Sequence, residues 1–183
     1  MEKKLFLVLI DCQNDFITGA LRNEDAIKAI PNIVKKIRNF NGDAIFFTMD
    51  THDENYLSTN EGIHLPVIHC VKGTEGWKLD PNVQAALDDA KLRNIKVIGI
   101  EKPTFGSFDL VEAVKKNTLW TDCDIEIAGF CTDICVISNA LMLKAGLYEH
   151  ADIIVDEKCC AGVTPQTHFA ACKAMEMCQI TIV

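Results

Sequence analysis

The chain has 183 residues, 49% of them hydrophobic and 24% charged, with a formal net charge of -8. That length suits one domain, residues 1–183, with a continuous core and no need of disulfides or structural metals, and no Pro-, Gln- or Ser-rich tract points to a disordered arm. The acidic balance, with no Lys/Arg cluster interleaved with aromatics, argues against a nucleic-acid partner.

From the start of the chain, Lys3 and Lys4 precede an apolar run that stops at Asp11 with no small-residue cleavage site. It reads as a first buried strand rather than an export signal, and the chain is expected to be cytoplasmic with no membrane partner. Strands are expected at 4–10, 44–49, 95–100, 124–128, 151–155 and 179–183. These runs are nearly continuous in apolar character, which suits a parallel sheet covered on both faces. Between them lie helical stripes: Ile33, Val34, Ile37 and Phe40; then Val83, Leu87 and Ala90; then Leu110, Val111 and Val114. A fourth, with Val136, Ala140, Leu141 and Leu143, is expected to close at Gly146, and a fifth over 168–177 to open near Pro165.

The alternation predicts an α/β fold, a three-layer α/β/α sandwich around a mainly parallel, doubly wound six-stranded sheet. Ligands of such sheets bind beyond the carboxyl ends of the strands. The long irregular stretch over 50–80 carries His52, His64 and His69 and is expected to lie over the site.

Nine cysteines are an odd number, and most fall within apolar or helical stretches. A secreted disulfide framework does not fit, nor is there a CxxC zinc-ribbon pair; reduced, packed thiols do fit.

Three polar residues follow three different expected strands: Asp11, Lys102 and Cys135. Each has a plain role open to it, as turn cap, solvated strand-end charge and packed helix thiol; their coincidence at one sheet edge singles them out. Cys135 lies early in Thr132-Asp133-Ile134-Cys135-Val136, where the N–H groups and dipole of a helix start favour a thiolate and can form an oxyanion hole. A neighbouring carboxylate can take the thiol proton, and an ammonium can offset developing negative charge. Asp11 and Lys102 supply those groups.

Asp50 and His52 stand at i and i+2, so on an extended strand end they face one way, and His69 returns from the far side of the loop. Two imidazoles and a carboxylate suit a divalent ion, Zn²⁺ first, in a site with open positions. Spacing alone fits a pair of solvated loop histidines equally well.

Asp11-Cys12-Gln13-Asn14-Asp15-Phe16, Lys102 within Glu101-Lys102-Pro103-Thr104-Phe105-Gly106-Ser107-Phe108, and Gly129-Phe130-Cys131-Thr132-Asp133-Ile134-Cys135-Val136 resemble the motifs of the isochorismatase-like cysteine hydrolases, most closely the nicotinamidase branch. The segment His69-Cys70-Val71-Lys72-Gly73-Thr74-Glu75-Gly76 is similar to the metal-loop motif of that branch. The resemblance implies Asp11 as proton acceptor, Lys102 as its electrostatic partner and Cys135 as the nucleophile that forms a thioester. It also implies a cis peptide at Phe130-Cys131, an oxyanion hole from the N–H groups of Cys131 and Cys135, and a homo-oligomer. Asp50, His52 and His69 would hold a metal that positions the substrate ring, with Glu61 ranked ahead of His64 as a fourth ligand.

The expected substrate is a small planar carboxamide, nicotinamide first, against a pocket of Phe16, Phe105 and Phe108. Pro66 stands where nicotinamidases usually carry a stacking aromatic residue. An N-carbamoyl or ureido amidohydrolase with the same triad is the alternative. A metal- or redox-responsive scaffold using the Cys159-Cys160 pair is a third reading.

Overall fold

The computed structural model describes residues 3–119 and 121–183. Six parallel strands, β1 (Lys4–Ile10), β2 (Ala44–Asp50), β3 (Lys96–Lys102), β4 (Cys123–Phe130), β5 (Ala151–Ala161) and β6 (Thr181–Ile182), form one sheet in the order β3-β2-β1-β4-β5-β6. The order reverses at β1, so the crevice beyond β1 and β4 is the place where such a sheet binds ligands.

The helices are α1 (Asn14–Ile17), α2 (Glu24–Asn39), α3 (Asn60–His64), α4 (Pro81–Leu92), α5 (Phe108–Thr118), α6 (Ile137–Leu147) and α7 (Pro165–Met177). Along β1 the side chains alternate between two cores. Leu7 and Leu9 pack with Ile30, Ile33 and Ile37 of α2 and Val83 and Leu87 of α4. Phe6, Val8 and Ile10 pack with Leu110 and Val114 of α5, Ala140 and Leu143 of α6 and Met175 of α7. This is the period of two expected of a strand buried on both faces.

Local chemistry sets the helix starts. Asn23, Asp80 and Ser107 accept hydrogen bonds from first-turn N–H groups of α2, α4 and α5, and Thr164 and Thr167 form a reciprocal capping box at α7, with Pro165 as its first residue.

Three expectations need correction. Gly146 lies inside α6, not at its end; it lets the helix pack against Val111, whose side chain a Cβ would overlap. The fifth strand continues to Ala161, because after a register shift its second half pairs with Gly129 and Phe130 of β4; the charged run Asp156-Glu157-Lys158 hides this continuation. The stretch over 50–80 holds a 3₁₀ turn, Tyr56–Ser58, and the short α3. No helix among the described residues is long and apolar enough to cross a membrane.

Candidate active site

The carboxyl ends of β1, β2, β3 and β4 meet at one edge. Gly129, with φ of 126°, lets β4 approach the end of β1 so closely that any Cβ would strike the Ile10 carbonyl. Asp11 follows in the left-handed region, at φ 47°, which turns its carboxylate into the sheet edge, where it is fully buried.

Lys102, buried at the end of β3, joins the strand ends. Its Nζ lies 2.7 Å from Asp11 Oδ2, 3.5 Å from Asp50 Oδ1 and 3.6 Å from Cys135 Sγ, and donates to the Thr104 carbonyl at 3.0 Å. Burial would lower its pKa, but the negative charges of Asp11 and Asp50 raise it, so it stays an ammonium. The Asp11 pKa is raised as well: burial lifts its carboxyl above the ordinary value against the pull of Lys102. A base of raised affinity therefore lies against the same ammonium as the thiol.

Cys135 sits in a π-helical turn, Thr132–Val136, ahead of α6. The Cys131 carbonyl accepts from the N–H groups of Ile134 at 3.1 Å and Val136 at 3.0 Å, the neighbours of Cys135 on either side. The peptide Phe130-Cys131 is cis. Burial first, then the Asp11 charge, push the Cys135 thiol well up, and Lys102 opposes them. The dipole of one short turn works against that desolvation.

Beside it, one ligand atom from each of Asp50, His52, Glu61 and His69 lies within 4.8 Å of the others. Asp50 Oδ2 is 3.0 Å from His52 Nε2 and 3.4 Å from His69 Nε2; Glu61 Oε1 is 3.6 and 3.9 Å from the same two nitrogens. His69 Nδ1 can only donate to the Val67 carbonyl at 2.8 Å, so in the neutral ring Nε2 is a lone pair aimed at carboxylates. Such a contact requires a proton or a cation between the partners. The edge holds three carboxylates, Asp11, Asp50 and Glu61, and one ammonium, Lys102, which meets the first two, leaving an excess of two negative charges when all three are ionised and the imidazoles are neutral. The donor set and the charge both fit a divalent ion of the Zn²⁺ class. His64 stays exposed, its Nδ1 against the Asn60 carbonyl at 2.8 Å, and does not join the cluster.

Asp50, Glu61 and His69 share one cavity of about 450 Å³ with Cys131 and Cys135, and Phe16, Leu65 and Phe105 also line it. Phe108 does not line it. As the first residue of α5 it is 83% exposed, so its expected place in the pocket is corrected.

Four residues escaped the sequence reading. Thr48, buried in β2, donates to Asp11 Oδ1 at 2.7 Å and accepts the Asp11 N–H at 3.2 Å. Gln13 accepts the Asp50 N–H at 2.7 Å and donates to the carbonyls of Asp50 and Trp77 at 2.9 and 2.8 Å. The Tyr56 ring packs against His52 and His69, with centroids 4.5 and 4.9 Å away. Asn139 donates to the carbonyls of Phe105 and Cys135 at 2.9 and 2.8 Å, tying the loop before α5 to the turn of Cys135. The available signal was a polar residue inside an apolar run, clearest for Thr48 in Ala44-Ile45-Phe46-Phe47-Thr48-Met49.

Comparison with known proteins agrees with this geometry. A family model described as the isochorismatase domain matches residues 6–183. A Bacillus subtilis (strain 168) protein, described as an uncharacterized isochorismatase family protein PncA, is 31% identical over 147 residues, covering 75% of this chain and 77% of that one. The crystal structure of nicotinamidase/pyrazinamidase PncA from Bacillus subtilis superposes with a TM-score of 0.84 at 26% identity, covering 98% of this chain and 99% of that one. The pyrazinamidase of Pyrococcus horikoshii in complex with zinc gives 0.76 at 26% identity, covering 98% of each chain. Fold, strand-end chemistry and the match across nearly the whole sequence place the chain in the isochorismatase domain family.

Proposed function

We propose that this protein is a cysteine amidohydrolase that cleaves a small planar carboxamide, nicotinamide first, to the carboxylate and ammonia. The observation that carries the reading is that Cys135, held against Lys102 and through it Asp11, shares the lining of one cavity of about 450 Å³ with Asp50, Glu61 and His69 of the ligand-type cluster. That size is ample for one small ring, and Lys102, within 3.6 Å of both Cys135 and Asp50, sets the two groups side by side. The Bacillus subtilis and Pyrococcus horikoshii structures, named as nicotinamidase or pyrazinamidase, support the same class of C–N bond hydrolysis.

Cys135 Sγ attacks the amide carbon while its proton passes to Asp11, so the thiolate forms only as the new bond does. Lys102 holds Asp11 and Cys135 on one ammonium and offsets the negative charge as it moves between them. The oxyanion is received by the N–H groups of Cys131 and Cys135. Asp11 returns the proton to the leaving nitrogen, which departs as ammonia and leaves a thioester on Cys135. Asp11 then takes a proton from water as it attacks the thioester, the carbon–sulfur bond breaks, Asp11 returns that proton to the Cys135 sulfur, and the acid leaves as carboxylate after giving its proton to solvent. Asp50, His52, His69 and Glu61 would hold a divalent ion, which when bound supplies a Lewis-acidic point for a ring nitrogen. Phe16, Leu65 and Phe105 exclude water and flatten the space between.

A second reading, an N-carbamoyl or ureido substrate, is favoured by Arg22, which also lines the cavity and could meet a substrate carboxylate. Ammonia release from nicotinamide, pyrazinamide, benzamide and an N-carbamoyl amino acid separates the two. Turnover of the ring amides, with benzamide poorer for lack of a ring nitrogen, supports the first; turnover of the carbamoyl compound alone transfers the reading to the second.

A further inference from the structure

Outside that cavity, Glu157, His168 and Cys172 form another cluster of ligand-type side chains, with one donor atom from each within 4.8 Å of the others. His168 and Cys172 lie four residues apart on α7 and so share one face of the helix, while Glu157 comes from β5. Cys172 Sγ and His168 Nε2 are 3.9 Å apart. Nitrogen and sulfur ligands of a tetrahedral Zn²⁺, at about 2.0 and 2.3 Å from the ion, stand about 3.5 Å from each other, so this pair needs to close by only a few tenths of an ångström.

The ring of His168 is already oriented for ligation. Its other nitrogen, Nδ1, is 2.8 Å from the hydroxyl of Thr132, a fully buried residue of the turn that carries Cys135. A ligating imidazole characteristically gives its second N–H to a fixed acceptor, which selects the tautomer and aims the free lone pair at the metal. Gly162 lies against the backbone and Cβ of His168, where a Cβ of its own would come within 2.9 Å, and so holds that side of the histidine close to the end of β5. Burial falls from Cys172 through His168 to the exposed Glu157, so the sulfur lies on the protein side and the carboxylate faces solvent.

We propose that Glu157, His168 and Cys172 form a second divalent-metal site, selective for thiophilic ions of the Zn²⁺ class, with Thr132 as the residue that orients its histidine. Binding replaces the Cys172 S–H bond by a sulfur–metal bond and releases one proton to solvent; His168 enters neutral, and water completes the coordination. The sulfur distinguishes it from the Asp50, His52, Glu61 and His69 set, whose donors are nitrogen and oxygen only. The site stands whether or not the chain hydrolyses amides.

Co²⁺ is the probe, titrated into the reduced, chelator-stripped full chain, because thiolate ligation gives Co²⁺ a sulfur-to-metal charge-transfer band that nitrogen and oxygen ligands do not. The band is expected in the parent chain and in His52→Gln, to be bleached by Zn²⁺, and to be lost in Cys172→Ser. His168→Gln and Glu157→Gln, which alter less buried side chains, should each weaken Co²⁺ binding at the band by about tenfold or more. Absence of the band at millimolar Co²⁺, its survival in Cys172→Ser, or parental affinity in both His168→Gln and Glu157→Gln would overturn the site.

Discussion

Asp50 and Lys102 are register partners on neighbouring strands, and the Asp50 carboxylate divides between two centres: Oδ1 faces the Lys102 ammonium at 3.5 Å while Oδ2 faces His52 at 3.0 Å. Burial alone would raise this carboxyl, but the His52 and His69 rings, when protonated, and the charge of Lys102 hold it well below the ordinary carboxylate range. One anion thus helps fix the ammonium that serves Cys135 and the imidazoles that face the cavity. Asp50→Asn keeps the shape and removes the charge, so both centres should suffer together. Bound metal per chain, measured by elemental analysis, should fall, and kcat/KM for nicotinamide should drop about a hundredfold or more. Full metal content with near-parental turnover would show that the two centres are independent.

Cys135→Ala should lower ammonia release by at least about a thousandfold, because no other thiol lies against Lys102 and Asp11 among the described residues. The side chain is small and Ala is a good helix former, so the fold and the metal content should persist. An electrophilic amide analogue should leave its adduct on Cys135 in a peptide digest. An adduct on Cys12, Cys70 or Cys131, or undiminished turnover by the variant, would refute the nucleophile.

In the proposed mechanism Asp11 must be ionised to take a proton, so activity should fall as pH drops through its pKa, and burial sets that pKa above the usual carboxylate value. The hydroxyl of Thr48 stabilises the ionised form through its 2.7 Å bond. Thr48→Val removes that bond in a side chain of the same shape, which raises the Asp11 pKa further. The acidic limb of the kcat/KM profile should therefore move to higher pH. A shift to lower pH, or none, would show that Thr48 does not tune the base.

The fold was legible wherever apolar runs were uninterrupted. The 4–10 strand matches β1 end to end and 44–49 falls one residue short of β2, because both lie in the middle of the sheet with two covered faces. The extension of β5 was hidden because Asp156, Glu157 and Lys158 continue the strand with charged side chains near the sheet edge, where β6 adds only two residues. At the site, Asp11, Lys102 and Cys135 were visible because each follows a strand end and bears a reactive group. Thr48, Gln13 and Asn139 were not, since their work is to satisfy backbone and carboxylate groups brought near only by tertiary folding. Phe108 misled because its composition suits a flat pocket, whereas its position at the start of α5 turns it to solvent. The rise in the Cys135 pKa was hidden for a related reason: helix-start chemistry is local, whereas burial beside Asp11 is a property of the assembled edge.

Gln13 offers a test of how the edge is held together. Its amide group satisfies three backbone groups at once, accepting from the Asp50 N–H and donating to the carbonyls of Asp50 and Trp77, and the side chain is fully buried. Gln13→Leu fills nearly the same volume but leaves those groups without the amide, each at a cost of about 1–3 kcal/mol unless water enters. The chain should lose roughly 2–5 kcal/mol, read as a lower denaturant midpoint with an unchanged slope. Gln13→Glu separates hydrogen bonding from packing. As a carboxylate it can accept from the Asp50 N–H, but it cannot donate to either carbonyl, and it lies near the charges of Asp11 and Asp50. The protonated acid restores one donor. Its folded-state pKa should thus lie above the unfolded value of about 4.3, so its stability relative to the parent is best below that pH and declines as pH rises through the folded pKa. A Glu variant whose deficit against the parent shrinks with rising pH, or a Leu variant as stable as the parent, would show that the amide does not hold the end of β2 in place.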